Sequence, residues 1–151
     1  MPHTACPDHS GARHGRERLR LGRRRRWREK KNYRIKLMEK KGKADPERLL
    51  KLFKQFADDI DNWAVCDGMG MQFLRSIVKT HSKEIFDIAS VYNKDKNLWK
   101  RRISLVMVEW YTRHDDKHQA ILKLVKPLEN DDEYYVRKAV AWIKRNFEKK
   151  K

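Results

Sequence analysis

Asn62-Trp63-Ala64-Val65-Cys66-Asp67 is a helix start that this chain writes three times. The second version is Asn97-Leu98-Trp99-Lys100-Arg101-Arg102, and the third runs from Asp132 through Tyr135-Val136-Arg137-Lys138. In each, an Asn or Asp stands where a side-chain oxygen can accept from the free N–H groups of a new helix. Trp63, Trp99 and Tyr135 follow at intervals of 36 residues, each in a first turn. A period near that length, filled by two antiparallel helices, is the signature of a helical-repeat solenoid.

Working outward, the intervening residues supply the partner helices. Asp45-Pro46-Glu47 pairs an N-cap with a proline at the first helical position, and Leu49, Leu52, Phe53, Phe56 and Ile60 then recur at helical spacing. The helix from Asn62 carries Trp63, Cys66, Phe73, Leu74, Ile77 and Val78, and the next begins at Ser82 with Ile85, Phe86, Ala89 and Tyr92. A fourth from Asn97 extends through Ile103, Val106, Met107 and Trp110. A fifth from Asp115/Asp116 ends near Pro127, and a sixth from Asp131/Asp132 runs to Phe147. The pattern predicts six helices of roughly 11 to 18 residues joined by tight turns. The tetratricopeptide pattern of aromatic and small residues is absent. The expected fold is therefore all-α, a HEAT-like helical-repeat solenoid of about three antiparallel helix pairs over residues 46–151.

Composition closes off other classes. The chain has 151 residues, 38 Lys and Arg against 21 Asp and Glu, and a formal net charge of +17. Apolar runs such as Leu105 to Val108 are too short to span a membrane, and no apolar segment of a secretory signal opens the chain. Cys6 and Cys66 make no disulfide framework and suit a reducing compartment, so a cytoplasmic location is expected. Residues 1–45 form a basic, largely disordered segment that includes Arg23-Arg24-Arg25-Arg26, with a short basic helix over Tyr33 to Lys41. Such a segment either binds phosphates without sequence preference or is only a solvated tail. No metal or cofactor is expected: Cys6, His9 and His14 are loosely spaced, and His114 and His118 lack a third ligand.

Repeat geometry then selects the residues that matter. Second helices of the pairs line the concave face, so Asp67, Arg102 and Lys138 should form a row beside Trp63 and Trp99. Most of that row is cationic, and Lys100, Arg101, Arg137 and Lys138 are candidate DNA-binding residues, as are Arg75, Lys79, Lys94 and Lys96. A lone carboxylate among cations repels a phosphate backbone, so Asp67 requires an explanation. One explanation is an ordinary surface salt bridge to Arg102; Trp99 reads more simply as an aromatic in an inter-helix seam. Gly68 and Gly70 either allow close backbone approach or merely loosen the helix.

The other explanation comes from a family. Trp63 to Asp67, then Asn97-Leu98-Trp99 with Arg102, then Val136-Arg137-Lys138-Ala139-Val140-Ala141-Trp142 resemble the W-x-x-x-D, N-x-W-x-x-R and V-x-K-A-[IV]-[GA]-W motifs of the AlkD-type DNA alkylation repair glycosylases. The resemblance covers about Pro46 to Phe147. It implies a HEAT-like solenoid that excises positively charged N3- and N7-alkylated purines from double-stranded DNA. It makes Asp67 the catalytic carboxylate, Trp63 and Trp142 aromatics at the lesion sugar, and Arg102 the active-site arginine. It also implies a stacked lesion gripped through its backbone, with no pocket for the base.

The chain departs from the family in two places. An arginine-rich segment stands where helices usually precede the Pro46 equivalent, and no repeat follows the Trp142 equivalent, so the expectation is a compact active member, a truncated product or an inactive remnant. The expectation is a monomeric, monofunctional alkylpurine DNA glycosylase without a cofactor. The rival readings are a noncatalytic helical-repeat module binding double-stranded nucleic acid through a basic concave face, and a protein-interaction scaffold.

Overall fold

In the computed structural model, residue 37 and residues 41–149 are described, and the expectations for residues 1–36, Cys6 and the arginine run among them, lie outside those residues. Helix α1 spans Pro46–Ala57, α2 Trp63–Asp67, α3 Ser82–Tyr92, α4 Leu98–Val106, α5 His118–Val125 and α6 Tyr134–Glu148. No strand occurs among the described residues. The chain is all-α.

The caps show how local chemistry places the helices. Asp45 accepts from the Arg48 N–H, Asn62 from Val65 N–H and Asn97 from Trp99 N–H, each at 2.9–3.0 Å. These three starts are as the sequence predicts. The later acidic pairs behave differently. Asp115 opens a 3-10 turn over Asp115–Lys117, and α5 begins only at His118. Asp131 accepts from the Glu133 N–H instead of from the helix, and α6 begins at Tyr134.

Two helices are shorter than their apolar patterns suggest. α2 gives way after Asp67 to a π-helical segment, Gly68–Phe73, and the chain then proceeds through turns to Thr80. α4 stops at Val106, and Glu109–Arg113 forms a separate 3-10 turn. The π segment has a local cause. A Cβ on Gly70 would lie 2.6 Å from Val106 Cγ1 and 3.1 Å from the Met107 amide nitrogen, so only glycine lets the wider turn press against the end of α4. Gly70 therefore serves close packing between helices.

α4 is the hub. It packs against α2 and its π extension on one side, against α6 on the other, and against α3 and α5 behind. Phe53, Cys66, Phe73, Ile85, Ile103, Leu105, Ile121 and Ile143 are fully buried and join all six helices in one core. Buried polar side chains bridge the helices of this core, although the buried Ser76 hydroxyl has no hydrogen-bond partner among the described residues. Asn93, at the end of α3, donates to Ser104 Oγ on α4 at 3.1 Å and to the Leu124 carbonyl on α5 at 2.9 Å. The Tyr111 hydroxyl donates to the Val78 carbonyl across the turn that follows the π segment. The result is an ordered row of α2, α4 and α6 with their first turns on neighbouring elements. No helix among the described residues is long and apolar enough to cross a membrane.

Candidate functional site

The row brings Asp67 and Arg102 together from 35 residues apart. Asp67 closes α2, where the backbone widens into the π turn, and Arg102 sits one turn into α4. Arg102 Nε and Nη2 donate to Asp67 Oδ1 at 3.2 and 2.9 Å, and Nη2 also reaches Oδ2 at 3.1 Å. Its Nη1 donates to the Tyr135 carbonyl in the first turn of α6 at 2.6 Å. One guanidinium on the middle helix therefore fixes a carboxylate on α2 and a carbonyl on α6. Arg102 is only 6 % exposed, so this is no ordinary surface salt bridge. The Asp67 side chain retains 26 % exposure and keeps an open edge.

That edge faces a cavity of about 670 Å³. Trp63, Asp67, Gly70 and Met71 line it from α2 and the π turn, and Met107, Glu109, Trp110 and Arg113 from the end of α4 onward. Trp63 is 53 % exposed at its mouth, where a core aromatic would be covered. Trp99 has a different place. It is half-buried and packs on Tyr135 with ring centroids 5.2 Å apart, an aromatic of the inter-helix seam. Trp142 on α6 is half-buried against the core and does not line this cavity.

Several predicted DNA-binding cations are engaged within the protein. Lys100 forms an ion pair with Asp58, lies 3.6 Å from Asp95 and sits over the Tyr92 ring. Arg101 makes a bidentate pair with Asp131 at 2.7 and 3.1 Å, and its Nη1 donates to the Asp95 and Lys96 carbonyls. Burial alone would raise the Asp131 carboxyl, but the bonds from Arg101 and the Glu133 N–H hold it below its usual range. Arg137 donates to the Asp131 and Asp132 carbonyls, while Lys138 lies exposed over the Tyr134 ring. Lys100 and Arg101 thus clasp inter-helix turns, and Arg137 and Lys138 are exposed on α6.

Sequence reasoning missed Glu109. It is 7 % exposed, accepts from Asn146 Nδ2 at 2.8 Å and has Arg113 Nη2 at 4.0 Å. Burial pushes its carboxyl above the ordinary range against the pull of Arg113. The Asn146 partner lies 37 residues away, on α6, and no local pattern announces it. Beside Asp67, Cys66 is fully buried with Sγ 3.8 Å from the Trp99 carbonyl, and burial drives its thiol pKa strongly upward. Among the described residues, no group of three His, Cys, Asp or Glu side chains could hold a metal ion.

No curated protein and no solved structure gives a significant match to the chain. The family model of the DNA alkylation repair enzymes matches residues 22–151, beginning inside the arginine-rich segment. The chain therefore belongs to the DNA alkylation repair enzyme family, with a role in that repair and an interaction with DNA.

Proposed function

We propose that the protein is a monofunctional DNA glycosylase that excises positively charged N3- and N7-alkylated purines, working on a HEAT-like solenoid whose inner layer is the row α2, α4, α6. The observation that carries this reading is the Asp67 carboxylate, held from behind by a buried arginine and open toward a cavity walled by an exposed tryptophan. A solvated surface pair would offer no such fixed, one-sided anion.

The chemistry needs little more. Alkylation at N3 or N7 gives the purine a positive charge, which weakens its bond to C1′. When that bond breaks, its electron pair goes to the base nitrogen and cancels the charge on the leaving purine, so no proton donor is required. The sugar is left with oxocarbenium character. Asp67 stabilises that charge and orients a water on C1′, and the water's proton passes to the carboxylate and then to solvent. The face of Trp63 adds cation–π attraction to the same developing charge. Arg102 keeps the carboxylate in place, since its three donor contacts leave Asp67 one orientation.

The deciding experiment measures base release from DNA containing N7-methylguanine. Wild-type protein should release the base, and Asp67→Asn should lose at least about a hundredfold in rate while retaining DNA affinity and helical circular dichroism. Equal release by Asp67→Asn would remove Asp67 from the chemistry, whereas DNA binding with no release by either protein would favour the noncatalytic nucleic-acid-binding module.

A further inference from the structure

We infer that the arginine-rich segment, Arg23 to Arg26 above all, supplies the main phosphate grip on double-stranded DNA, because the row α2, α4, α6 has committed most of its candidate cations to the fold itself. This deepens the glycosylase reading, on which it rests, by naming the part of the chain that retains the substrate.

The row offers a phosphate little. The Lys100 and Arg101 side chains are only 18 % and 17 % exposed, and Asp58, Asp95 and Asp131 hold them in the turns between helices. Arg137 directs Nη1 to the Asp131 and Asp132 carbonyls. A phosphate that drew Arg101 away would strand Asp131, whose side chain is 8 % exposed. Stranding a buried charge costs more than an exposed phosphate contact returns. The same carboxylates also weaken the positive field that these cations would otherwise present. Lys138 is the exception, exposed over the Tyr134 ring.

Charge is concentrated elsewhere. Residues 41–149 carry 22 Lys and Arg against 17 Asp and Glu, a net +5, whereas residues 1–36 carry 13 against 3, a net +10. DNA affinity grows with the number of phosphates neutralised, through release of their condensed counterions. Most of that capacity therefore precedes the helices, and Arg23 to Arg26 fall within the residues that match the family. Arginine suits the task, since its planar fork pairs with phosphate oxygens two at a time.

The segment also joins the fold beside the site. Gly42 is buried so tightly that a Cβ would overlap Ser76 Oγ and Leu49 Cδ2. Ser76 follows Arg75, which lines the cavity that Asp67 faces. Arg26 lies 16 residues before Gly42, and an extended chain of that length spans at most about 55 Å, more than one turn of B-DNA. A duplex held against Asp67 is thus within range of the four arginines.

The test follows binding of the full chain to a duplex of about two helical turns, by fluorescence anisotropy, from about 0.05 to about 0.3 M salt. Changing Arg23, Arg24, Arg25 and Arg26 together to Gln should flatten the slope of log affinity against log salt by about 3. It should also weaken binding at least about tenfold at about 0.15 M salt. Changing the four to Lys keeps the charge and should restore at least about half of the lost slope, while Arg137→Gln should leave the slope within about 0.5 of wild type. A slope unchanged in the Gln variant, lost equally in the Lys variant, or reduced further by Arg137→Gln than by the fourfold Gln change overturns the assignment. Base release from N7-methylguanine in the same duplex, with protein in excess, keeps the two readings apart. Where wild type releases the base, the Gln variant should need at least about tenfold more protein for its half-maximal rate. An unmoved half-maximal concentration overturns the grip and leaves the glycosylase reading. A flattened slope without base release by any of the proteins removes the glycosylase reading and leaves the grip.

Discussion

Arg102→Met removes the guanidinium while retaining most of its stem, and its cost can be worked from the contacts. Wild-type Arg102 supplies three donor contacts to Asp67 and one to the Tyr135 carbonyl. Removing one member of a buried ion pair typically costs about 3–5 kcal/mol, because the remaining charge is stranded. Asp67 is 26 % exposed and water can take up part of its coordination, so the lower end applies, about 3 kcal/mol. For a domain of this size that corresponds to a fall in Tm of about 12 °C. Arg102→Lys should lie between the two, since an ammonium on a flexible stem cannot serve both oxygens of Asp67 and the carbonyl together. The assay is thermal unfolding by circular dichroism at neutral pH, completed by the Arg102→Met/Asp67→Asn double variant. A coupling of about 2 kcal/mol is expected between the two sites. A Tm change under about 3 °C, or simple additivity in the double variant, would refute the claim that this pair joins α2, α4 and α6.

Two further outcomes follow from the same geometry. Glu109→Gln should raise stability at neutral pH. The folded carboxyl titrates above its ordinary value of 4.5, so its ionisation opposes folding at pH values above the folded pKa, and that penalty vanishes below the unfolded one. Melting curves recorded across pH should therefore show the variant's advantage at pH 7 shrinking to nothing as the pH falls below about 4.5; a variant less stable than wild type at pH 7 contradicts the assignment. Gly70→Ala should cost about 1–3 kcal/mol in chemical denaturation, because the added methyl meets Val106 Cγ1 at 2.6 Å and backbone at 3.1 Å. An unchanged denaturation midpoint would show that the π turn yields without resistance.

How far the sequence discloses this arrangement depends on the range of the interaction. Asp45, Asn62 and Asn97 cap within three residues, so their helix starts can be read from the chain alone. The meeting of Asp67 and Arg102 is equally legible, because the recurring first-turn aromatics keep α2 and α4 in one register. Acidic pairs are less reliable guides. Asp131 has the composition of a cap, but Arg101, 30 residues away, offers a charged fork, and the charge-assisted bonds win. The long apolar patterns after Trp63 and Asn97 are equally ambiguous. Buried residues such as Phe73, Leu74, Met107 and Val108 continue to face the core after the backbone has left α geometry, so the pattern cannot show where a helix ends. The Glu109 side of the cavity begins where α4 has already ended, and helical spacing gives no guide to which way those residues point.

Cys66 stands next to Asp67 in sequence, and its enclosure has a consequence for the conditions under which such a protein must act. Thiolates are the softest nucleophiles a chain carries and the first to be consumed by electrophiles. With no exposed surface and a proton it scarcely gives up, Cys66 is withheld from the same methylating reagents that damage purines. The residue that would be most easily poisoned is thereby made inert, and the neighbouring carboxylate keeps its setting during chemical stress.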